Sequence, residues 1–207
     1  MPGLIESLLI EADRALRVLA APAHTTRAPK LPPAAAMDAD QRKHVAGLMR
    51  INHTGEVCAQ ALYFGHAAAS HSEPIKTQML HAADEEGAHL AWCELRLTEL
   101  KARPSLLNPV WYGGAFALGW LSARFSDQYA LGFVEETERQ VEAHLSEHLS
   151  RLPEQDTRSA AILSQMRAEE AAHGAAARAA GARKLPWPVP GLMRRGADLM
   201  RALAYRV

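Results

Sequence analysis

Apolar side chains recur along this chain at spacings of three and four, the interval that gathers them on one face of an α-helix. Four long runs carry the pattern. In the first, about residues 38 to 70, the line is Val45, Met49, Asn52, Glu56, Ala59, Tyr63 and His66. In the second, about 73 to 102, it is Ile75, Met79, Ala82, Glu86, His89 and Cys93. A third, about 126 to 152, runs Leu131, Glu135, Glu138, Glu142, Leu145, Leu149 and Leu152. The fourth, about 154 to 180, runs Leu163, Met166, Glu170, His173 and Ala177. Asp38 suits an N-cap, Pro74 a first helical turn and Gly181 a C-cap. No stretch alternates with β-branched residues as a strand would. The expectation is an all-α protein whose centre is a four-helix bundle, each helix about 40 Å long.

Each of these lines is interrupted by a carboxylate where a core residue should stand. An ionised carboxylate in a bundle core costs several kcal/mol unless a cation meets it. Two lines add a histidine three residues on, as Glu85-Glu86-Gly87-Ala88-His89 and Glu169-Glu170-Ala171-Ala172-His173. A chain this rich in Glu and His yields about one E-x-x-H by chance, so the spacing alone decides little. The doubled E-E-x-x-H decides more, because each follows a helix with its own inward glutamate. Two similar helical hairpins, each giving one Glu and one Glu-x-x-His, supply what a carboxylate-bridged pair of iron or manganese ions needs. Glu138 and Glu142 continue the third line, either as partners of the ligands and a proton route or as a wet bundle end. Asp84 and Glu85 either orient a liganding histidine or lie at the surface. Tyr63, His66 and the remaining histidines are expected to pack.

Outside the bundle, residues 3 to 20 form an amphipathic helix, and 21 to 37, with Pro22, Pro29, Pro32 and Pro33, form a linker. The acids Glu6, Glu11 and Asp13, with no basic stretch before them, argue against a cleaved signal. The expected division is therefore a helix and linker over 1–37 and a metal-binding domain over 38–207. Between Arg103 and Arg124 no residue is charged. Pro104, Asn108, Pro109 and the Gly113-Gly114 pair interrupt this insert, 104–123, and leave about 15 helical residues, too few to span hydrocarbon. Trp111, Tyr112 and Trp120 are residues that favour a membrane interface. A last helix, about 191 to 206, carries Arg194, Arg195, Arg201 and Arg206 beside Leu192, Met193 and Leu199, a pattern suited to an anionic membrane surface. Lys plus Arg equals Asp plus Glu over the 207 residues, so no basic face calls for nucleic acid. The two cysteines, Cys58 and Cys93, form no C-x-x-C.

Arg50-Ile51-Asn52-His53-Thr54-Gly55-Glu56 resembles the R-x-N-H-x-G-E opening of the demethoxyubiquinol hydroxylases, the di-iron enzymes of ubiquinone biosynthesis. The blocks at 84 to 90, 134 to 136 and 169 to 173 match that family in order and spacing, over roughly residues 38 to 205. The resemblance implies a ferritin-like bundle with extra N-terminal, insert and C-terminal helices. It implies two iron ions held by Glu56, Glu86, His89, Glu135, Glu170 and His173. It implies O2-dependent ring hydroxylation of a prenylated methoxy-methyl-benzoquinol, with an external electron donor and no flavin or nicotinamide motif in the chain. Peripheral contact with the cytoplasmic side of the inner membrane, within a possible ubiquinone-biosynthesis complex, goes with that substrate. The competing readings are a ferritin-like iron store or ferroxidase, a peroxide-reducing di-metal protein and a metal-free helical protein.

Overall fold

The structure, a computed structural model, describes residues 3–27 and 29–207; Met1, Pro2 and Ala28 of the expected N-terminal region lie outside the described residues. Seven helices and no strand are found among the described residues: α1 (Leu4–Ala20), α2 (Ala39–Ala69), α3 (Glu73–Glu99), α4 (Asn108–Phe125), α5 (Asp127–Arg151), α6 (Thr157–Ala179) and α7 (Pro188–Ala204). The four long runs of the sequence are α2, α3, α5 and α6.

Local chemistry sets the ends of these helices. Asp38 accepts a hydrogen bond from the Gln41 amide at 2.8 Å, and the Gln41 side chain accepts from the Asp38 amide at 3.2 Å. That reciprocal pair satisfies two otherwise orphaned donors at the start of α2. α6 begins three residues later than its sequence pattern, because Asp156 caps it by accepting from the Ser159 amide. α3 ends at Glu99 rather than near 102, where Lys101 turns into the left-handed region at φ 55°. Gly181, at φ 99°, closes α6 in a conformation that costs other residues more.

Short turns join α2 to α3 and α5 to α6, giving two hairpins that pack face to face. Two apolar layers fill the space between them. One holds Val45, Met49, Trp92, Cys93, Leu97, Leu145, Ile162, Leu163 and Met166. The other holds Tyr63, Met79, Ala83, Leu131, Val134 and Ala177. The polar cluster described below lies between these layers, sealed from water on both sides.

The uncharged insert is helical from 108 to 123, close to the expected length, and forms most of the 18-residue α4, which is laid against α2. Two glycines permit the close crossing. A Cβ on Gly65 would stand 2.2 Å from the Phe116 carbonyl oxygen, and one on Gly119 would stand 2.2 Å from that of Leu62. One face of α4 buries Tyr112, Gly119, Ser122 and Ala123, while Val110, Leu118, Trp120, Leu121 and Phe125 remain exposed. α1 covers the seam between α2 and α4 through Val18, and Arg14 sits 5.0 Å over the Phe64 ring. No described helix is long and apolar enough to cross a membrane.

Candidate metal centre

Each bundle helix delivers polar side chains to one level of the core. α2 gives Glu56, α3 gives Glu86 and His89, α5 gives Glu138, and α6 gives Glu170 and His173. All four carboxylates and His89 are at most 3% exposed, and the His173 side chain is 12% exposed. Their ligand atoms form two groups, Glu56–Glu86–His89–Glu170 and Glu86–Glu138–Glu170–His173, with all atoms of a group within 4.8 Å of one another. Glu86 and Glu170 belong to both.

The shared carboxylates face two ways. Glu86 sends Oε2 to within 3.0 Å of His89 Nδ1 and Oε1 to within 3.0 Å of His173 Nδ1. Glu170 sends Oε1 to 3.1 Å from His89 Nδ1 and Oε2 to 3.4 Å from His173 Nδ1. Each bridging side chain thus offers one oxygen to each half of the cluster. Glu86 Oε1, Glu170 Oε2 and His173 Nδ1 are buried and make no hydrogen bond within the protein. Burial without a partner is expensive for such atoms, and a cation between them would satisfy all three at once.

Electrostatics point the same way. Burial, with the charges of Glu86 and Glu170 beside it, pushes Glu56 well above the usual carboxylate range. Burial and the same two neighbours raise Glu138. Burial disfavours the charge of Glu86, yet the imidazoles of His173 and His89, each 3.0 Å away, hold its carboxyl low. Burial opposes the charged rings too, but the carboxylates around them win: His89 is raised, and His173 is raised to about 11. With all four carboxylates ionised, two protonated imidazoles leave the cluster short of positive charge. Two divalent cations would replace those protons and balance the acids.

The outer faces of the rings are braced across the bundle. Glu169 accepts from His89 Nε2 at 2.8 Å, and Glu85 accepts from His173 Nε2 at 3.1 Å. The first glutamate of each E-E-x-x-H therefore holds the histidine of the other hairpin, which keeps both Nδ1 atoms aimed inward. The doubled glutamate was the visible signal in the sequence. Glu85 had an open assignment there, and Glu169 had none.

One expected ligand is not in the cluster. Glu135 accepts from Arg178 Nε at 2.7 Å and its side chain is a quarter exposed. Glu138, one turn on, takes the inward position, and buried Tyr63 donates to its Oε1. The buried line of α5 is Leu131, Val134, Glu138, Leu145 and His148, spaced three, four, seven and three. A line through Leu131 and Glu135 is equally helical, so spacing alone could not choose between them. Glu142 lies on the exposed side of α5.

The opening motif also finds its contacts. Arg50 Nε donates to the Arg103 carbonyl at 2.9 Å and its NH1 to the Tyr205 carbonyl at 3.0 Å, tying α2 to the insert and the C-terminus. Asn52 Oδ1 lies 3.2 Å from His144 Nε2 and 2.9 Å from His148 Nδ1. Thr54 donates to Asn108 Oδ1 at 2.9 Å. A cleft of about 350 Å3 beside α7 reaches His148, and a second of about 480 Å3 opens between Trp187 and Arg195; neither is lined by a cluster residue.

An antiparallel bundle with two buried groups that could hold metal ions and that share two carboxylates has the arrangement of the carboxylate-bridged dimetal proteins. The model of the family described as Ubiquinone biosynthesis protein COQ7 matches residues 43–204, and the chain belongs to that family. It is similar to a protein of Cupriavidus necator named 3-demethoxyubiquinol 3-hydroxylase, 55% identical over 207 residues, covering 98% of this chain and 100% of that relative. A relative from Xanthomonas oryzae pv. oryzae bearing the same name is 53% identical over 205 residues, covering 98% of this chain and 94% of its own length.

Proposed function

We propose that the chain is a di-iron monooxygenase that hydroxylates the ring of a 2-polyprenyl-3-methyl-6-methoxy-1,4-benzoquinol in ubiquinone biosynthesis. The observation that carries this reading is the pair of metal-binding groups sharing Glu86 and Glu170, in a chain of this family. Glu56 and His89 would hold one ion and Glu138 and His173 the other, with Glu86 and Glu170 shared between them. Glu138 replaces Glu135 in the expected set. Oxygen and imidazole donors without a thiolate suit iron. Bound there, two ferrous ions would supply the electrons and open coordination positions that O2 chemistry requires.

The protein's own part is to hold and to exclude. Glu85 and Glu169 keep each imidazole in the tautomer that offers Nδ1 inward. Tyr63 holds Glu138 from behind. The apolar layers on either side keep water from the reacting groups. Burial and acidic neighbours raise Glu56 and Glu138, so any proton either carries would leave as a cation enters.

A prenyl tail keeps the substrate in a bilayer, and two surfaces suit that setting. α4 exposes Val110, Leu118, Trp120, Leu121 and Phe125, and α7 exposes Leu192 and Leu199 beside Arg194 and Arg195, with Trp187 just ahead of it. The reading includes peripheral attachment at the cytoplasmic side of the inner membrane through these faces. It also includes an external electron donor and a hydroxylase domain over 38–207 preceded by the helix and linker of 1–37. The test is the quinone profile of a strain lacking the protein. The demethoxy precursor should accumulate, and the wild-type chain but not Glu170→Ala should restore the hydroxylated product carrying oxygen-18 from labelled O2. A normal quinone profile in that strain contradicts the proposal.

A further inference from the structure

The two braces on the imidazoles are themselves joined by one side chain, and it comes from outside the bundle. Arg27, in the linker between α1 and α2, places NH1 3.5 Å from Glu85 Oε1 and NH2 3.1 Å from Glu169 Oε2. Glu85 and Glu169 stand on different hairpins. Among the described residues, Arg27 is the one side chain that contacts both. Each brace has a further partner of its own: Gln165 donates to Glu169 Oε1 at 2.7 Å, and His81 Nδ1 lies 3.3 Å from Glu85 Oε2. The Arg27 backbone is anchored as well, because its carbonyl accepts from the indole N–H of Trp92, one turn beyond His89.

We propose that Arg27 is a positioning residue for the metal centre, closing a ring that runs Arg27–Glu85–His173 on one side and Arg27–Glu169–His89 on the other. The inference rests on the ligand set given above. A planar guanidinium presents several N–H donors in a fixed fork, so one arginine can hold two carboxylates at a set separation. The carboxylates so held accept from each Nε2–H, which makes each Nδ1 a better donor to a cation. Burial does not isolate the ring from the surface. The Arg27 side chain is 46% exposed and that of Glu169 20%. The linker is therefore the outer wall of the site.

Reciprocity follows from this geometry. If the linker steadies the imidazoles, bound metal must steady the linker by the same free energy. The coupling is readable without any turnover. Cobalt(II) serves as the probe, because its visible spectrum reports the ligand field and its release to a chelator can be timed. In the full-length protein, Arg27→Ala should release cobalt about fivefold faster than wild type, a smaller effect than the 10- to 100-fold typical of losing a direct partner of a ligand. Arg27→Lys should recover part of that loss, since it restores the charge but not the fork. In a Glu85→Gln/Glu169→Gln background, Arg27→Ala should add nothing. Cobalt loading should slow amide hydrogen exchange in residues 21–37 of the wild type and leave it unchanged in Arg27→Ala.

Equal release rates for wild type and Arg27→Ala overturn the inference and leave the ligand set standing. The same loss from Arg27→Ala in the doubly substituted background also overturns it, because the effect would then not pass through the braces. A wild-type chain that takes up no cobalt overturns the ligand set and this inference with it. Arg27→Gln, which keeps most of the side chain's packing, gives the same readings if the alanine variant proves unstable.

Discussion

The bundle buries two groups of charged side chains and balances only one of them. Near the end of α3, Arg96 donates to Asp156 Oδ1 and to the Ser159 hydroxyl, each at 2.8 Å, and to Glu99 at 2.9 Å. Arg158 pairs with Glu99 from the other side. Two guanidinium groups meet two carboxylates, so the charges balance within the protein, with Asp156 Oδ2 alone left without a hydrogen bond. Midway along the same helices, four carboxylates meet two imidazoles, and three of the buried polar atoms lack a hydrogen bond. Arg96 and Asp156 are as buried as the cluster, so burial cannot distinguish a structural ion pair from a functional site. Charge balance can. A buried pair that closes on itself holds the fold together, whereas a buried excess of acid calls for a cation from outside.

Breaking each group should therefore give opposite results. The largest effect is on the cluster: Glu170→Ala should lower iron content from about two ions per chain to well below one, measured by elemental analysis. Its metal-free thermal midpoint should stay level or rise, since a repelling carboxylate has gone. Arg96→Met should do the reverse. It leaves Asp156 buried and unpaired, at a cost of about 3–5 kcal/mol in urea denaturation, while the protein that remains folded keeps its metal.

A sharper contrast lies within α5. Glu138→Ala should lose one of the two ions. Glu135→Ala should lose none and cost less than about 1 kcal/mol, because the exposed pair with Arg178 is screened by water. Spectroscopic titration with ferrous iron distinguishes the two variants directly.

Most of the bundle was readable from the periodicity of Val45 through Ala177. A period of 3.6 places residues on faces, and a core of two hairpins uses all four faces so marked. The convergence of Glu86, His89, Glu170 and His173 was readable too, because an E-x-x-H step has one geometry on a helix. The third-helix glutamate was not. Glu135 and Glu138 are three apart, and only the rotation of α5 against its neighbours, set by Leu131, Val134 and Leu145, selects one. Arg27 was beyond reach for another reason. It acts across 58 residues to Glu85 and 142 to Glu169, and a proline-rich linker has no periodicity to indicate where it docks. In the insert, prolines and glycines read as breaks. Pro109 instead sits in the first turn of α4, and Gly65 and Gly119 serve the crossing with α2.

The smallest expected effect concerns pH. Burial lowers His66 to about 3, beside the Ser122 hydroxyl at 2.7 Å. Its folded pKa lies below the ordinary 6.5, so the unfolded chain takes the proton first. The neutral ring contributes its full stability above pH 6.5 and loses it as pH falls toward 3. The urea midpoint of wild type should therefore fall relative to that of His66→Gln between pH 7 and pH 4. The limit is about 1.4 kcal/mol per pH unit for one titrating group. Equal slopes would show that this ring is solvated in solution.

The central claim is that Glu86 and Glu170 join two metal ions in one buried site. Mössbauer spectroscopy of the iron-57 protein tests it most directly. Two irons per chain, spin-coupled to a diamagnetic ground state after oxidation, is the expected result. Uncoupled high-spin ferric iron, or a single iron per chain, would contradict the account.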